Sequence, residues 1–129
     1  AFVRPGKGVF ILTHTSAPLG SFNGQENDSV RIAERLGMMN KSYLGAVVGS
    51  SKARPVDMAA FRNLMPETWI LTPGVGTQGA DLEYLVKSGI RKKDRSGLLI
   101  NIGRSVLEAE DYLVQLDSYN QAINYLRQE

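Results

Sequence analysis

Four short apolar runs, each followed by a segment with helical spacing, constrain the fold of this chain more than any other feature. They are GVFILT (8–13), LGAVVG (44–49), WILT (69–72) and GLLINI (97–102). Strands that are apolar on both faces and alternate with helices are typical of a parallel sheet covered by helices. Two α/β architectures then remain, a small open doubly wound sheet or half of a (βα)8 barrel, since a whole barrel usually takes about 250 residues.

The segments after the apolar runs predict four helices, from capping residues and from apolar positions three or four residues apart. Their expected bounds are Asp28, as N-cap, to about Asn40; Pro55 to Met65; about Ala80 to Gly89; and about Glu110 to Gln128, with a break near Asp117 and Ser118. The order is therefore four βα units in succession.

Composition limits the class of protein. The 129 residues are 43% hydrophobic and 22% charged, which is typical of one globular domain. The formal net charge of +2 is too small to favour a nucleic-acid partner, and no apolar run reaches the roughly 18 residues of a membrane span. The sequence has no cysteine, which fits the reducing cytoplasm, where we expect the protein. Because the chain opens at Ala1 rather than at Met, we expect a piece of a longer protein.

The third βα connection contains Gly74, Gly76 and Gly79 in the G-x-G-x-x-G spacing of dinucleotide-binding loops. A dinucleotide site requires that loop in the first βα unit and an acidic residue at the end of the next strand. Here the loop belongs to the third unit and the next strand ends without an acid, which disfavours an NAD-binding domain. A tight turn that needs glycine for its backbone angles and a phosphate-binding loop remain as interpretations.

Half of a barrel makes the phosphate-binding interpretation more specific, because the phosphate site of such barrels is commonly built from the loops after the last two strands. If those strands are WILT and GLLINI, Arg104 follows the last strand and lies beside the glycine loop. Its guanidinium is a forked donor suited to phosphate, and Gln78 adds a neutral amide.

Three segments, GVFILTHTSAP, WILTPGVGTQGAD and LLINIGRSV, occur in an order and at a spacing that closely resemble the C-terminal half of the orotidine 5'-monophosphate decarboxylase family. Members of this family are (βα)8 TIM barrels. The resemblance spans residues 1–129 and implies the last four βα units of such a barrel, strands five to eight, with the N-terminal half absent. It also implies a carbon–carbon lyase of pyrimidine biosynthesis that converts orotidine 5'-monophosphate to uridine 5'-monophosphate and CO2.

The resemblance assigns five substrate-binding residues, one position at a time. Ser16 matches the family serine that hydrogen-bonds the pyrimidine ring, and Pro73 matches the proline of the loop that closes on the base. Gln78 matches the glutamine that reaches the phosphate and extends towards the base. Gly103 and Arg104 match the backbone amide and the guanidinium that hold the 5'-phosphate.

The resemblance implies no catalytic residue in this chain. The chemistry of the family resides in an Asp and Lys array carried by a D-x-K-x-x-D motif in the N-terminal half, and this chain does not contain that motif. The whole enzyme uses no cofactor or metal and is a homodimer in which one Asp reaches across from the second subunit. The chain alone is therefore expected to be inactive and to need the missing half as a partner. The lone His14 is expected to have a positional or core role.

A second interpretation belongs to another class of protein. Four βα units leave two open sheet edges, so the chain can also be a non-catalytic phosphate-binding half barrel that associates with itself. A homodimer that binds phosphate without preference for a pyrimidine would favour this alternative.

Overall fold

The computed structural model describes residues 6–15 and 26–129, with only the backbone of the first two residues of the second range. Within these ranges nine elements follow one another: β1 (Val9–His14), α1 (Glu26–Met39), β2 (Leu44–Val48), α2 (Met58–Leu64), β3 (Trp69–Pro73), α3 (Leu82–Gly89), β4 (Leu98–Asn101), α4 (Arg104–Leu107) and α5 (Tyr112–Leu126). No helix in this part of the chain is long and apolar enough to cross a membrane.

The four strands form one parallel sheet in the order β1-β2-β3-β4. This confirms the predicted parallel α/β sheet. The strand order follows the chain without the reversal that a doubly wound sheet contains at its switch point, so the structure favours half of a barrel over an open doubly wound sheet.

One face of the sheet is buried beneath the helices. Its fully buried side chains include Ala46 and Val48 of β2 and Ile70 of β3, which pack with Met58 of α2 and Leu85 of α3. Successive strand residues point to opposite faces, so the remaining strand residues define a second face.

The second face of the sheet is also apolar, and among the described residues its large side chains remain partly exposed. Phe10 and Leu12 of β1 are 42% and 48% exposed, Trp69 of β3 is 37% exposed and Leu99 of β4 is 42% exposed. In a closed (βα)8 barrel this is the face that points to the interior, where side chains from all the strands pack in layers. The four strands therefore leave exposed the surface that a whole barrel buries.

The starts of two helices differ from the sequence-based prediction. Helix α1 begins at Glu26, so Asp28 lies inside the helix and is not its N-cap. Helix α2 begins at Met58 rather than Pro55, because the carboxylate of Asp57 accepts a hydrogen bond from the backbone N–H of Ala60 and caps the helix there. Asp81 caps α3 in the same way. Side-chain capping, and not the position of proline, decides where α2 starts.

The C-terminal region contains two helices rather than one broken helix. The short helix α4, which follows β4 directly, was not predicted. Helix α5 runs without a break past Asp117, and Asp111 caps it by accepting from the N–H groups of Leu113 and Val114. The predicted break near Asp117 is therefore wrong. An Asp in a helix interior lowers helix propensity only slightly, and packing against α3 and α4 compensates.

Arg62 ties together the amino ends of β3 and β4. Its guanidinium is buried and donates hydrogen bonds of 2.7–2.9 Å to four backbone carbonyls, those of Met65, Thr68, Gly89 and Gly97. Burial, with a contribution from the nearby Arg91, lowers the pKa of Arg62 to about 10. These carbonyls lie where helices end and strands begin, and the one guanidinium donates to all four of them. The carbonyl of Gly97 also accepts from the backbone N–H of Ile70, so Arg62 reinforces the first hydrogen bond between β3 and β4.

We expect Arg62→Lys to lower the free energy of unfolding by about 2–3 kcal/mol, because a lysine cannot reproduce the planar fork and at least one buried carbonyl loses its donor. Denaturant unfolding followed by circular dichroism measures the change. Arg35→Lys, an exposed position on α1, is the matched control and is expected to change stability little. Equal unfolding free energies for the two variants would contradict the role assigned to Arg62.

Candidate functional site

Two loops meet at the carboxyl edge of the sheet. The glycine loop, residues 74–79, follows β3, and Gly103 and Arg104 follow β4. Because β3 and β4 are parallel neighbours with Pro73 opposite Asn101, both loops leave the sheet at the same level. Together they surround an open cavity of about 230 Å³. Its lining residues are Pro73, Gly74, Val75, Thr77, Gln78, Asn101, Gly103 and Arg104.

The backbone conformation of the glycine loop requires glycine at three positions. Gly74, Gly76 and Gly79 have φ angles of +119°, +86° and +66°, a region that side-chain-bearing residues rarely adopt. A Cβ on Gly74 would also stand 1.6 Å from the carbonyl oxygen of Ser50. The spaced glycines therefore allow a tight, closely packed turn. This turn also forms one wall of the cavity.

The loop after β2 holds both ends of the glycine loop. The backbone N–H of Ser50 donates to the carbonyl of Pro73 at 3.1 Å, and the N–H of Lys52 donates to the carbonyl of Gln78 at 2.9 Å. Within the glycine loop, the N–H of Ala80 donates to the carbonyl of Gly74. Backbone hydrogen bonds thus fix the loop without engaging the side chains that line the cavity.

Arg104 contributes a positive charge to the wall of this cavity. It is exposed, it begins α4, and no ion pair joins it to a carboxylate in the described ranges. A guanidinium at a cavity wall that has no acidic partner of its own is available to an anion. Within the same ranges, no group of three potential metal ligands is found.

Four of the five residues assigned from the sequence, Pro73, Gln78, Gly103 and Arg104, line this one cavity. Ser16, the fifth, lies outside the described residues. The sequence did not single out Thr77 or Asn101, which also line the cavity. Asn101 could have been found from its position at the end of a buried strand, since parallel strands carry site residues at their carboxyl ends.

His14 lies away from the cavity, against the helices. The pairing of β1 with β2 is irregular between Leu12 and His14, and the imidazole packs against the Phe61 ring of α2 with centroids 5.5 Å apart. Its Nδ1 is 3.3 Å from the hydroxyl of Ser29 on α1. These contacts are those of a packing residue, as the sequence suggested.

Groups with shifted pKa values lie outside the cavity. Hydrogen bonds with Glu129 and Glu83 raise the pKa of Lys87, and those from Lys87 and Tyr125 lower the pKa of Glu129. In the connection between α3 and β4, burial raises the pKa of Asp94, but hydrogen bonds from Arg91 and Ser96 outweigh this effect and lower the pKa. These shifts belong to ion pairs that join helices and connections, not to the cavity.

The fold and the cavity define a class of protein: four parallel βα units, equivalent to half of a (βα)8 barrel, with a small open cavity where the last two strands end. No family model matches the chain. Known proteins nevertheless resemble it in sequence and in structure.

Among curated proteins, the orotidine 5'-phosphate decarboxylase of Cupriavidus metallidurans is 37% identical over 112 residues, and that of Thermomicrobium roseum is 36% identical over 113 residues. Both matches cover 81% of this chain. The chain spans about 40% of the length of these relatives, 40% of the first and 39% of the second.

Solved structures agree with the sequence matches. The OMP decarboxylase of Leishmania donovani superposes with a TM-score of 0.79 at 30% identity, covering 95% of this chain and 49% of that one. The UMP synthase of the same organism gives a TM-score of 0.77 at 32% identity, covering 94% of this chain and 28% of that one. In sequence and in fold, the chain is similar to the C-terminal part of orotidine 5'-phosphate decarboxylases, which confirms the resemblance drawn from its motifs.

We expect Gly74→Ala to lower the free energy of unfolding by about 1–3 kcal/mol, because alanine is strained at positive φ and its Cβ would meet the Ser50 carbonyl. The matched control is Gly8→Ala, where a Cβ makes only an ordinary 3.5 Å contact with the carbonyl of Tyr43. Denaturant unfolding compares the two. If Gly74→Ala were as stable as the control, the glycine loop would be able to adopt another conformation.

Proposed function

We propose that this chain is the substrate-gripping half of an orotidine 5'-phosphate decarboxylase. In this proposal it binds the 5'-phosphate and the pyrimidine of orotidine 5'-monophosphate, and the remainder of the barrel supplies the chemistry. The observation that carries the proposal is the meeting of the glycine loop and the Gly103–Arg104 segment at one cavity.

The phosphate end of the proposed site is built by Arg104 and Gly103. A guanidinium binds two phosphate oxygens through parallel N–H donors, and a backbone N–H at Gly103 adds a third. A Cβ on Gly103 would have no atom within 4 Å, so the space beside its backbone is open to a ligand. A small anion with several acceptor oxygens fits this set of donors.

Gln78 and Pro73 extend the proposed site from the phosphate towards the base. The backbone carbonyl of Gln78 is held by Lys52, while its side chain is exposed and its Oε1 lies near Gly74. The amide can therefore turn towards a ligand without unfolding the loop. Ser16, which lies outside the described residues, is proposed to contact the pyrimidine ring because it matches the serine that does so in the family.

The absence of the D-x-K-x-x-D motif from this chain supports the proposal that the chain works with the rest of a barrel. Decarboxylation in this family is assigned to the D-x-K-x-x-D array, which this chain lacks. The uncovered apolar face, with Leu12 and Leu99 near its two edges, has the character of a barrel interior. We therefore propose the N-terminal half as the partner that covers this face, and a cytoplasmic homodimer as the whole enzyme.

A self-associating half barrel is the second candidate, and the same uncovered face favours it, because a second copy can also bury that face. The two candidates differ in ligand preference. A gripping half of a decarboxylase favours a pyrimidine nucleotide over inorganic phosphate, whereas a general phosphate module does not.

We expect Arg104→Ala to weaken the binding of uridine 5'-monophosphate to this chain by about 1.5–3 kcal/mol, because a charge-assisted contact is lost. Titration followed by amide resonances in NMR spectra measures the affinity even when it is weak. Arg35→Ala, a cation on the outer surface of α1, is the control for net charge. Unchanged affinity in Arg104→Ala would remove Arg104 from the site.

We expect the pure 129-residue chain not to decarboxylate orotidine 5'-monophosphate, because it lacks the Asp and Lys array. Loss of substrate absorbance, with an intact related decarboxylase as positive control, measures turnover. Addition of an N-terminal half that carries D-x-K-x-x-D is expected to restore turnover and to shift the chain to a heavier species in size-exclusion chromatography. Turnover by the chain alone would refute the division of labour.

A further inference from the structure

Two hydroxyl groups converge on the middle of the glycine loop from outside the cavity. Ser105, the residue after Arg104, and Tyr119, in the middle of α5, place their side-chain oxygens 3.4 Å apart, at the long end of a hydrogen bond. A Cβ on Gly76 would stand 2.1 Å from Ser105 Oγ and 3.3 Å from Tyr119 Oη. Both hydroxyls thus occupy the space that a side chain at position 76 would need.

This contact joins three separate parts of the chain. Gly76 belongs to the loop after β3, Ser105 to the segment after β4, and Tyr119 to the last helix. Tyr119 is half-buried and packs against the core, so its ring is held in place. It does not line the cavity, whereas the neighbour of Ser105, Arg104, does. Tyr119 can therefore act on a ligand only by fixing the groups that touch it.

A contact at Gly76 would lower the entropic cost of ordering the glycine loop. Three glycines at positive φ make the backbone permissive, and ordering it when a ligand binds costs conformational entropy. The loop after β2 restrains one side through Ser50 and Lys52. Ser105 and Tyr119 lie against the other side, at Gly76, and Ser105 is the neighbour of Arg104 in the chain.

We propose that Tyr119 is a positioning residue that, through Ser105, holds the glycine loop and Arg104 at the separation a phosphate group requires. The claim about the phosphate group rests on the proposed function, whereas the claim that Tyr119 orders the glycine loop is independent of it. The C-terminal helix, remote from the cavity lining, thus takes part in substrate binding.

The test compares Tyr119→Phe with Tyr112→Phe, the same change on the same helix at a position that is 56% exposed. The first readout is amide hydrogen exchange at Gly79 and Ala80, whose N–H groups bond to carbonyls within the loop. The second is the affinity for uridine 5'-monophosphate by NMR titration. Tyr119→Phe is expected to speed exchange at both amides and to weaken binding, each about two- to tenfold, the range for one hydrogen bond.

The outcomes separate this inference from the proposed function. Exchange and affinity in Tyr119→Phe equal to those of Tyr112→Phe would overturn the positioning role. If the unsubstituted chain bound no nucleotide while exchange rose only in Tyr119→Phe, the proposed function would fail and the restraint on the loop would stand. Ser105→Ala removes the same contact from the other side, so it is expected to reproduce both effects and decides the matter if Tyr119→Phe does not fold.

Discussion

The parallel pairing of β3 with β4 is the interaction on which the candidate site depends. It sets Pro73 opposite Asn101, so that the glycine loop and Arg104 leave the sheet side by side. Arg62 fixes the other end of the same two strands by donating to carbonyls that precede each of them. A slip of the register by one residue would turn every side chain of a strand to the opposite face and separate the two loops.

The stabilising contacts and the candidate cavity therefore lie at opposite ends of the sheet. Arg62, and the stacking of Arg91 on Trp69 at 5.2 Å, lie at the amino ends of the strands. The cavity lies at the carboxyl ends, where glycines at positive φ and an exposed Arg104 would be unfavourable in a region built only for packing.

Most of the fold and much of the cavity could be predicted from the sequence, because both depend on local patterns. Apolar runs identify the strands, and the position of a residue after a strand places Gln78 and Arg104 at the same edge. The start of α2 could not be predicted in this way, since the cap at Asp57 competes with Pro55 over only two residues. Tyr119 could not be predicted either, because its contact with Gly76 joins positions that are 43 residues apart in the numbering.

If the proposed function holds, the division of the barrel into two halves affects both the stability of this chain and its association with a partner. The contacts that order the phosphate grip come from β3, β4, α5 and the loop after β2, all within this chain. The uncovered face that Leu12 and Leu99 help to form contributes nothing to that grip and is costly to leave in water. Separation of the halves therefore removes the chemistry and lowers stability while the geometry of the grip remains. In the proposed enzyme, burial of this face would drive association of the halves, and the bound phosphate would then supply remote binding energy to a site that the partner completes.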